Sequence, residues 1–203
     1  MMELLSPAGS MEAVAAAVQN GADAVYFGYG DFNARRGAKN FTREEAAAAV
    51  SYCRLRGCKV NLTLNTLLTD RELPGAAEAA AHASGIGVDA VIVQDLGAVR
   101  MLRQSAPDLP IHGSTQMSVH SLDGVKLCAD LGMDRVVLGR ELSRDQIAYI
   151  CQHSPIEIEV FGHGALCMCW SGQCFFSSVL GGRSGNRGMC AQPCRLSYGW
   201  GNR

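Results

Sequence analysis

The chain has 203 residues, with 18 basic against 19 acidic side chains and 48% hydrophobic residues. That apolar share with balanced charge is the composition of an ordinary globular protein and excludes a disordered chain. No run approaches the roughly 18 uninterrupted apolar residues of a membrane span, and the opening Met1-Met2-Glu3-Leu4-Leu5 lacks the basic leader and apolar stretch of a secretory signal, so a cytoplasmic location is expected.

In chain order, seven short runs read as strands: Glu3–Ser6, Ala24–Phe27, Lys59–Asn65, Ala90–Gln94, Pro110–His112, Arg135–Leu138 and Glu157–Phe161. Between them lie Ala-rich or amphipathic stretches that read as helices, at 13–18, 44–52, 76–83, 99–103, 125–131 and 145–151. Three junctions repeat one pattern, Gly21-Ala22-Asp23, Gly87-Val88-Asp89 and Gly132-Met133-Asp134. Each predicts a helix ended by a left-handed glycine, a tight turn and then a strand. The strand runs look nearly continuously apolar, as in parallel strands covered on both faces.

Seven strands alternating with helices predict an α/β fold, a (β/α) barrel of the TIM type. A doubly wound open sheet is the alternative, but Ser6-Pro7-Ala8-Gly9-Ser10 is not the Gly-rich phosphate loop that usually follows its first strand. A complete barrel has eight strands and typically about 250 residues, so the chain reads as a barrel over residues 1–165 that stops before an eighth strand. Such a piece is expected to expose two strand edges and to associate.

Chemistry in this architecture gathers at the carboxyl ends of the strands. The polar residues there include Asp95, His112, Ser114, Gln116, Arg140, Glu141 and His163. His163, Glu141 and Asp95 are the candidate catalytic groups, and Arg140, His112, Gln116 and Ser114 the candidate small-molecule ligands. Arg140 is the one cation placed at a strand end, and it is expected to face a carboxylate ligand. Two plainer readings compete: Asp95 as a helix N-cap and Arg140-Glu141 as an ion pair.

Residues 166–203 differ in composition. All 19 acidic residues lie at or before Glu159, whereas Arg183, Arg187, Arg195 and Arg203 follow it. Arg183, Arg187 and Arg195 are candidate contacts to RNA phosphates. Cys167, Cys169, Cys174, Cys190 and Cys194 also fall here. The spacing Cys-x6-Cys-x15-Cys-x3-Cys, from Cys167 through Cys174 and Cys190 to Cys194, suits thiolate ligation of an iron–sulfur cluster, with zinc as the alternative. Wide, irregular spacing in a Gly-rich loop favours the larger cluster. Cys169 is the outlier of the set, and Cys53, Cys58, Cys128 and Cys151 read as small core residues.

The segment from Glu159 to Ser177, the run Asn186-Arg187-Gly188-Met189-Cys190-Ala191-Gln192-Pro193-Cys194-Arg195 and the opening Glu3-Leu4-Leu5-Ser6-Pro7-Ala8-Gly9-Ser10 together resemble the collagenase-like peptidase family, peptidase family U thirty-two. The resemblance covers essentially the whole chain and is closest to the branch that hydroxylates RNA. It implies an oxygen-independent, prephenate-dependent, iron–sulfur-linked hydroxylase of ribosomal or transfer RNA. It implies Cys167, Cys174 and Cys190 as cluster ligands, with the fourth either Cys194 or a cysteine far downstream. Two other readings follow from the same resemblance. One is a peptidase using Cys167 and His163, although no His-Glu-x-x-His helix or Gly-x-Ser-x-Gly elbow is present. The other is a non-catalytic module working with a partner subunit.

Overall fold

A computed structural model describes residues 2–34, 36–37 and 40–199. Arg203, at the end of the basic stretch, lies outside them. Seven parallel strands form one sheet in chain order: β1 (Leu5–Pro7), β2 (Ala24–Gly28), β3 (Lys59–Leu64), β4 (Ala90–Val93), β5 (Ile111–Gly113), β6 (Arg135–Val137) and β7 (Glu157–Glu159). Six helices connect them: α1 (Met11–Gln19), α2 (Arg43–Arg54), α3 (Leu73–Ile86), α4 (Leu96–Ser105), α5 (Leu122–Asp130) and α6 (Arg144–His153). A short α7 (Phe176–Gly181) follows β7. The sheet curls until Pro7, Tyr26, Thr63, Ile92, Val137 and Glu159, from six of the strands, line one cavity together with Ser114, just past β5. This is the expected (β/α) barrel, seven-stranded and with β1 and β7 as its edges among the described residues. No described helix is long and apolar enough to cross a membrane.

The repeated glycines act as their sequence predicts. Gly21, Gly87 and Gly132 take φ of 87°, 82° and 84°, a conformation that costs a residue with a Cβ. The aspartate two residues later does something the pattern did not announce. Asp23, Asp89 and Asp134 each turn a carboxylate back to the preceding strand and accept the backbone N–H of Leu4 at 2.8 Å, Val60 at 2.7 Å and Ile111 at 2.8 Å. Each junction thereby satisfies a donor at a strand start, where no ladder partner exists.

The strands are not apolar on both faces. Val25, Phe27, Val60, Leu62, Val91 and Val93 are buried in the hydrophobic core with residues of the surrounding helices. The alternate residues line the barrel, and many are polar: Asn61, Thr63, Gln94, His112, Ser114 and Arg135 are all buried. The register runs Thr63, Ile92, His112, Arg135 and Glu157 side by side across β3 to β7. Arg135 crosses the barrel floor to Glu3 at 2.7 Å, pairs with Glu157 and reaches Glu159 at 3.4 Å. Burial works against an ionised Glu3, but Arg135 and Lys59 outweigh it and hold its pKa down at about 2.

Candidate functional site

Two adjoining cavities occupy the carboxyl end of the barrel. The inner chamber, ≈ 240 Å³, lies within the strands. Its aromatic walls include Tyr26, Phe41 and Phe161, and its polar groups include Asn65, Ser114, Gln116 and Glu159. The outer cavity, ≈ 780 Å³, lies between the barrel rim and the cysteine segment. Cys167, Cys169, Cys174, Cys190 and Cys194 all line it. Tyr26, Thr115, Gln116 and Phe161 border both spaces, so each opens toward the other.

The cysteine segment has little regular structure, so polar fasteners hold it to the rim. Arg140, just after β6, is the main one. Its guanidinium donates to the carbonyl oxygens of Cys167 and Cys169, both at 3.0 Å, and to Ser171 Oγ at 3.1 Å. Glu141 accepts from Ser171 N at 2.8 Å and Ser171 Oγ at 3.1 Å, and faces His120 Nε2 at 2.7 Å. Burial favours a protonated Glu141, but the hydrogen bonds from His120 and Ser171 prevail and lower its pKa. Ser118 donates to Ser171 O at 2.6 Å and accepts from Gln173 at 2.9 Å. Gly172 passes so close to the Gln116 carbonyl that a Cβ there would collide with it. Further along, Asn186 donates to Gly172 O at 3.0 Å.

This geometry corrects several expectations. Arg140 and Glu141 lie 3.8 Å apart, yet the first is committed to loop carbonyls and the second to Ser171 and His120, so neither stands free as a carboxylate receptor or catalytic acid. Asp95 caps α4 by accepting from Ala98 N at 3.0 Å, and its other oxygen accepts from Leu68 N at 3.1 Å. The N-cap reading holds, and a catalytic Asp95 is not supported. His112 lies on β5 beneath the mouth, lines neither cavity and leaves a buried Nδ1 unpartnered. Burial, with the nearby Arg135 charge, pushes its pKa down to about 4 and keeps the ring neutral.

Arg187 is likewise committed. It donates to both oxygens of Glu72, at 2.7 and 2.8 Å, and to Leu67 O at 2.6 Å. Its guanidinium holds the Glu72 carboxyl down at about 2, which removes Arg187 as a free phosphate contact. Arg183 and Arg195 each give one N–H to a backbone carbonyl, of Met189 and Leu166, and remain exposed.

Ser114 and Gln116 do come together, at the chamber, where Ser114 Oγ accepts from Gln116 N at 3.2 Å. His163 lines the outer cavity beside Cys167. Both are exposed, and no hydrogen bond joins them among the described residues. The thiols are gathered but not clenched: no three His, Cys, Asp or Glu side chains among the described residues stand close enough to hold one metal ion. Cys169, the outlier by spacing, has a pKa raised by burial and by a hydrogen bond with Cys174. Cys53, Cys58 and Cys128 are buried as expected, whereas Cys151 is exposed.

Glu159 escaped the sequence reading. It lines the chamber floor, where burial raises its pKa more than the nearby Arg135 lowers it. The available signal was an acid on the inward register of a barrel strand. Ser118, His120 and Ser171 carried no such signal, because their role depends on two loops meeting.

Among named proteins, the chain is 43% identical over 197 residues to the 23S rRNA 5-hydroxycytidine C2501 synthase of Escherichia coli, covering 97% of this chain and 30% of that protein. It is 38% identical over 196 residues to tRNA hydroxylation protein P1 of Bacillus subtilis, covering 97% of this chain and 46% of that protein. The chain thus spans less than half the length of these relatives. Among solved structures, a U32 peptidase matches with a TM-score of 0.67 at 18% identity, over 79% of this chain and 68% of that one, a likeness of fold. The model of peptidase family U32 matches residues 9–202. The chain belongs to peptidase family U32.

Proposed function

We propose that the protein takes part in hydroxylating a base of ribosomal or transfer RNA without molecular oxygen, in the cytoplasm. The reading includes a prephenate-like small molecule, a contributing partner subunit, and an iron–sulfur cluster held by Cys167, Cys174, Cys190 and Cys194. The observation that carries it is one cavity, lined by all four thiols, opening onto a second chamber at the catalytic end of the barrel. The likeness to two proteins named for RNA hydroxylation, over 97% of this chain in each case, supports the substrate class.

The donor set fits a cluster better than a single ion. Structural zinc more often uses paired Cys-x2-Cys knuckles, and the spacing Cys-x6-Cys-x15-Cys-x3-Cys contains none. Thiols spread around a wide cavity suit separate irons of one cluster. When bound, such a cluster supplies electron transfer or an open iron site. Arg140 and Ser171 fix the loop that presents Cys167 and Cys169, so their hydrogen bonds orient the thiols. Tyr26 and Phe161 give the shared mouth aromatic walls. Glu159 holds a proton within the chamber more readily than an exposed carboxyl does. Exposed Arg183 and Arg195, in a stretch without acids, supply sequence-independent attraction to RNA phosphates.

The test is mass spectrometry of RNA nucleosides from a strain lacking the gene, beside iron and acid-labile sulfide analysis of protein purified without oxygen. Loss of one hydroxylated nucleoside and stoichiometric iron with sulfide are expected. An unchanged nucleoside profile contradicts the function, and stoichiometric zinc without sulfide contradicts the cofactor.

A further inference from the structure

The inner chamber has a chemistry of its own, distinct from the cysteine cavity beside it. At ≈ 240 Å³ it is smaller than the roughly 300–1,000 Å³ that drug-sized ligands occupy, which suits a single ring. Its walls combine aromatic faces, Tyr26, Phe41 and Phe161, with groups that can donate or accept: Ser114, Gln116 and Glu159. Flat walls with polar groups at the edges fit a planar ring that carries hydrogen-bonding atoms on its rim. Gln116 keeps a buried Oε1 with no partner, an acceptor that a ligand N–H would satisfy. Leaving such an atom unpaired is costly, and a ligand N–H that reaches it removes that cost on binding.

The charge pattern decides between ligand classes. Among the described residues no Lys or Arg lines the chamber, and its one ionisable acid is Glu159. Arg135 reaches Glu159 at 3.4 Å but is not part of the lining. Among the described lining residues a dicarboxylate would meet no cation, and it would face the Glu159 carboxyl group. A neutral heterocycle meets none of that penalty. Burial favours the protonated form of Glu159, and a neutral carboxyl both donates and accepts, as the edge of a pyrimidine does.

We propose that the inner chamber is a base pocket, taking one pyrimidine unstacked from the RNA, with Gln116 and Glu159 reading its edge and Tyr26 or Phe161 lying against its face. The proposal rests on the RNA reading above and extends it by locating the substrate. Enzymes that modify a base draw it out of the stack into such a pocket and read it by stacking and edge hydrogen bonds. The shared lining at Tyr26, Thr115, Gln116 and Phe161 leaves the sugar and phosphates in the outer cavity, beside the thiols. An anionic co-substrate is thereby assigned away from the chamber.

The test is ligand-detected NMR titration of the full chain with uridine, cytidine, adenosine and succinate, on wild type, Gln116→Ala and Val137→Phe. Val137 lines the chamber at the end of β6, and a phenyl ring there takes up part of the space while leaving every polar side chain of the lining in the sequence. Thermal melts confirm that both variants fold. Expected are saturable binding of uridine or cytidine, at least tenfold weaker adenosine, no succinate binding that Val137→Phe removes, about tenfold weakening by Gln116→Ala and loss in Val137→Phe. Absence of pyrimidine binding to wild type, or pyrimidine binding that survives Val137→Phe, overturns the proposal. The same variants are scored for RNA hydroxylation in cells. Full hydroxylation by Val137→Phe refutes the base pocket while the RNA reading stands. Pyrimidine binding in a protein whose gene loss leaves every RNA nucleoside unchanged refutes the RNA reading instead.

Discussion

Arg140 shows how a residue's neighbours decide its meaning. As a lone cation at a strand end it reads as a carboxylate receptor, but its guanidinium is divided among Cys167 O, Cys169 O and Ser171 Oγ. Its loss should therefore be felt first in the loop. Arg140→Ala is expected to cost about 1–2 kcal/mol in stability and to speed hydrogen exchange across residues 162–171. Arg140→Lys should not restore protection, because one ammonium cannot span three acceptors fixed for a planar fork. Unchanged exchange in Arg140→Ala would contradict the fastening role. Glu159 carries a signed pH prediction. Its pKa is raised in the folded chain, so its protonated form favours folding at low pH, and stability is lost as pH rises through that raised value. Replacing it by Gln removes the charge penalty. The stability of Glu159→Gln relative to wild type should therefore be greater at pH 7 than at pH 4, as read by urea unfolding at the two pH values. A difference independent of pH would mean that Glu159 is not burdened by burial.

Among the elements, the helix–strand junctions were the most legible. Three glycines with an aspartate two residues on marked three αβ turns, and all three glycines are left-handed. What the pattern did not disclose was the carboxylate reaching back to the preceding strand, because that contact joins residues 19 to 29 positions apart. Asp89→Ala strips Val60 N–H of its partner and should cost about 1–2 kcal/mol in urea unfolding with an unchanged m-value. A neutral result would leave the repeat as turn chemistry alone. The strand ends were placed to within two residues, but their inward face was misread. Lys59-Val60-Asn61-Leu62-Thr63-Leu64 alternates plainly, and period two with polar residues on one face means that one face looks into a hydrated or charged interior. The cysteine segment was legible as chemistry and not as structure. Its thiols announced themselves by spacing, whereas the contacts that seat it, through Ser118, Glu141, Ser171 and Gly172, arise only when separate loops close on one another.

On the scale of the whole molecule, the fold separates two tasks. The outward faces of the strands and the helices build the hydrophobic core, which leaves the barrel interior free to hold charge: Arg135 with Glu3, Glu157 and Glu159 at the floor, and amides and hydroxyls above. The cysteine segment then covers part of the open end and places five thiols around a cavity that adjoins the chamber. The proposed reaction would use this arrangement, with a small planar substrate in the chamber and a thiolate-bound group beside it. The most direct measurement is complementation of a strain lacking the gene by the wild-type gene, by Cys174→Ser and by Cys151→Ser, read by mass spectrometry of RNA nucleosides. The wild-type gene and Cys151→Ser, which alters an exposed thiol on α6, should restore the hydroxylated nucleoside. Cys174→Ser should lower it at least tenfold. Full restoration by Cys174→Ser would contradict the account.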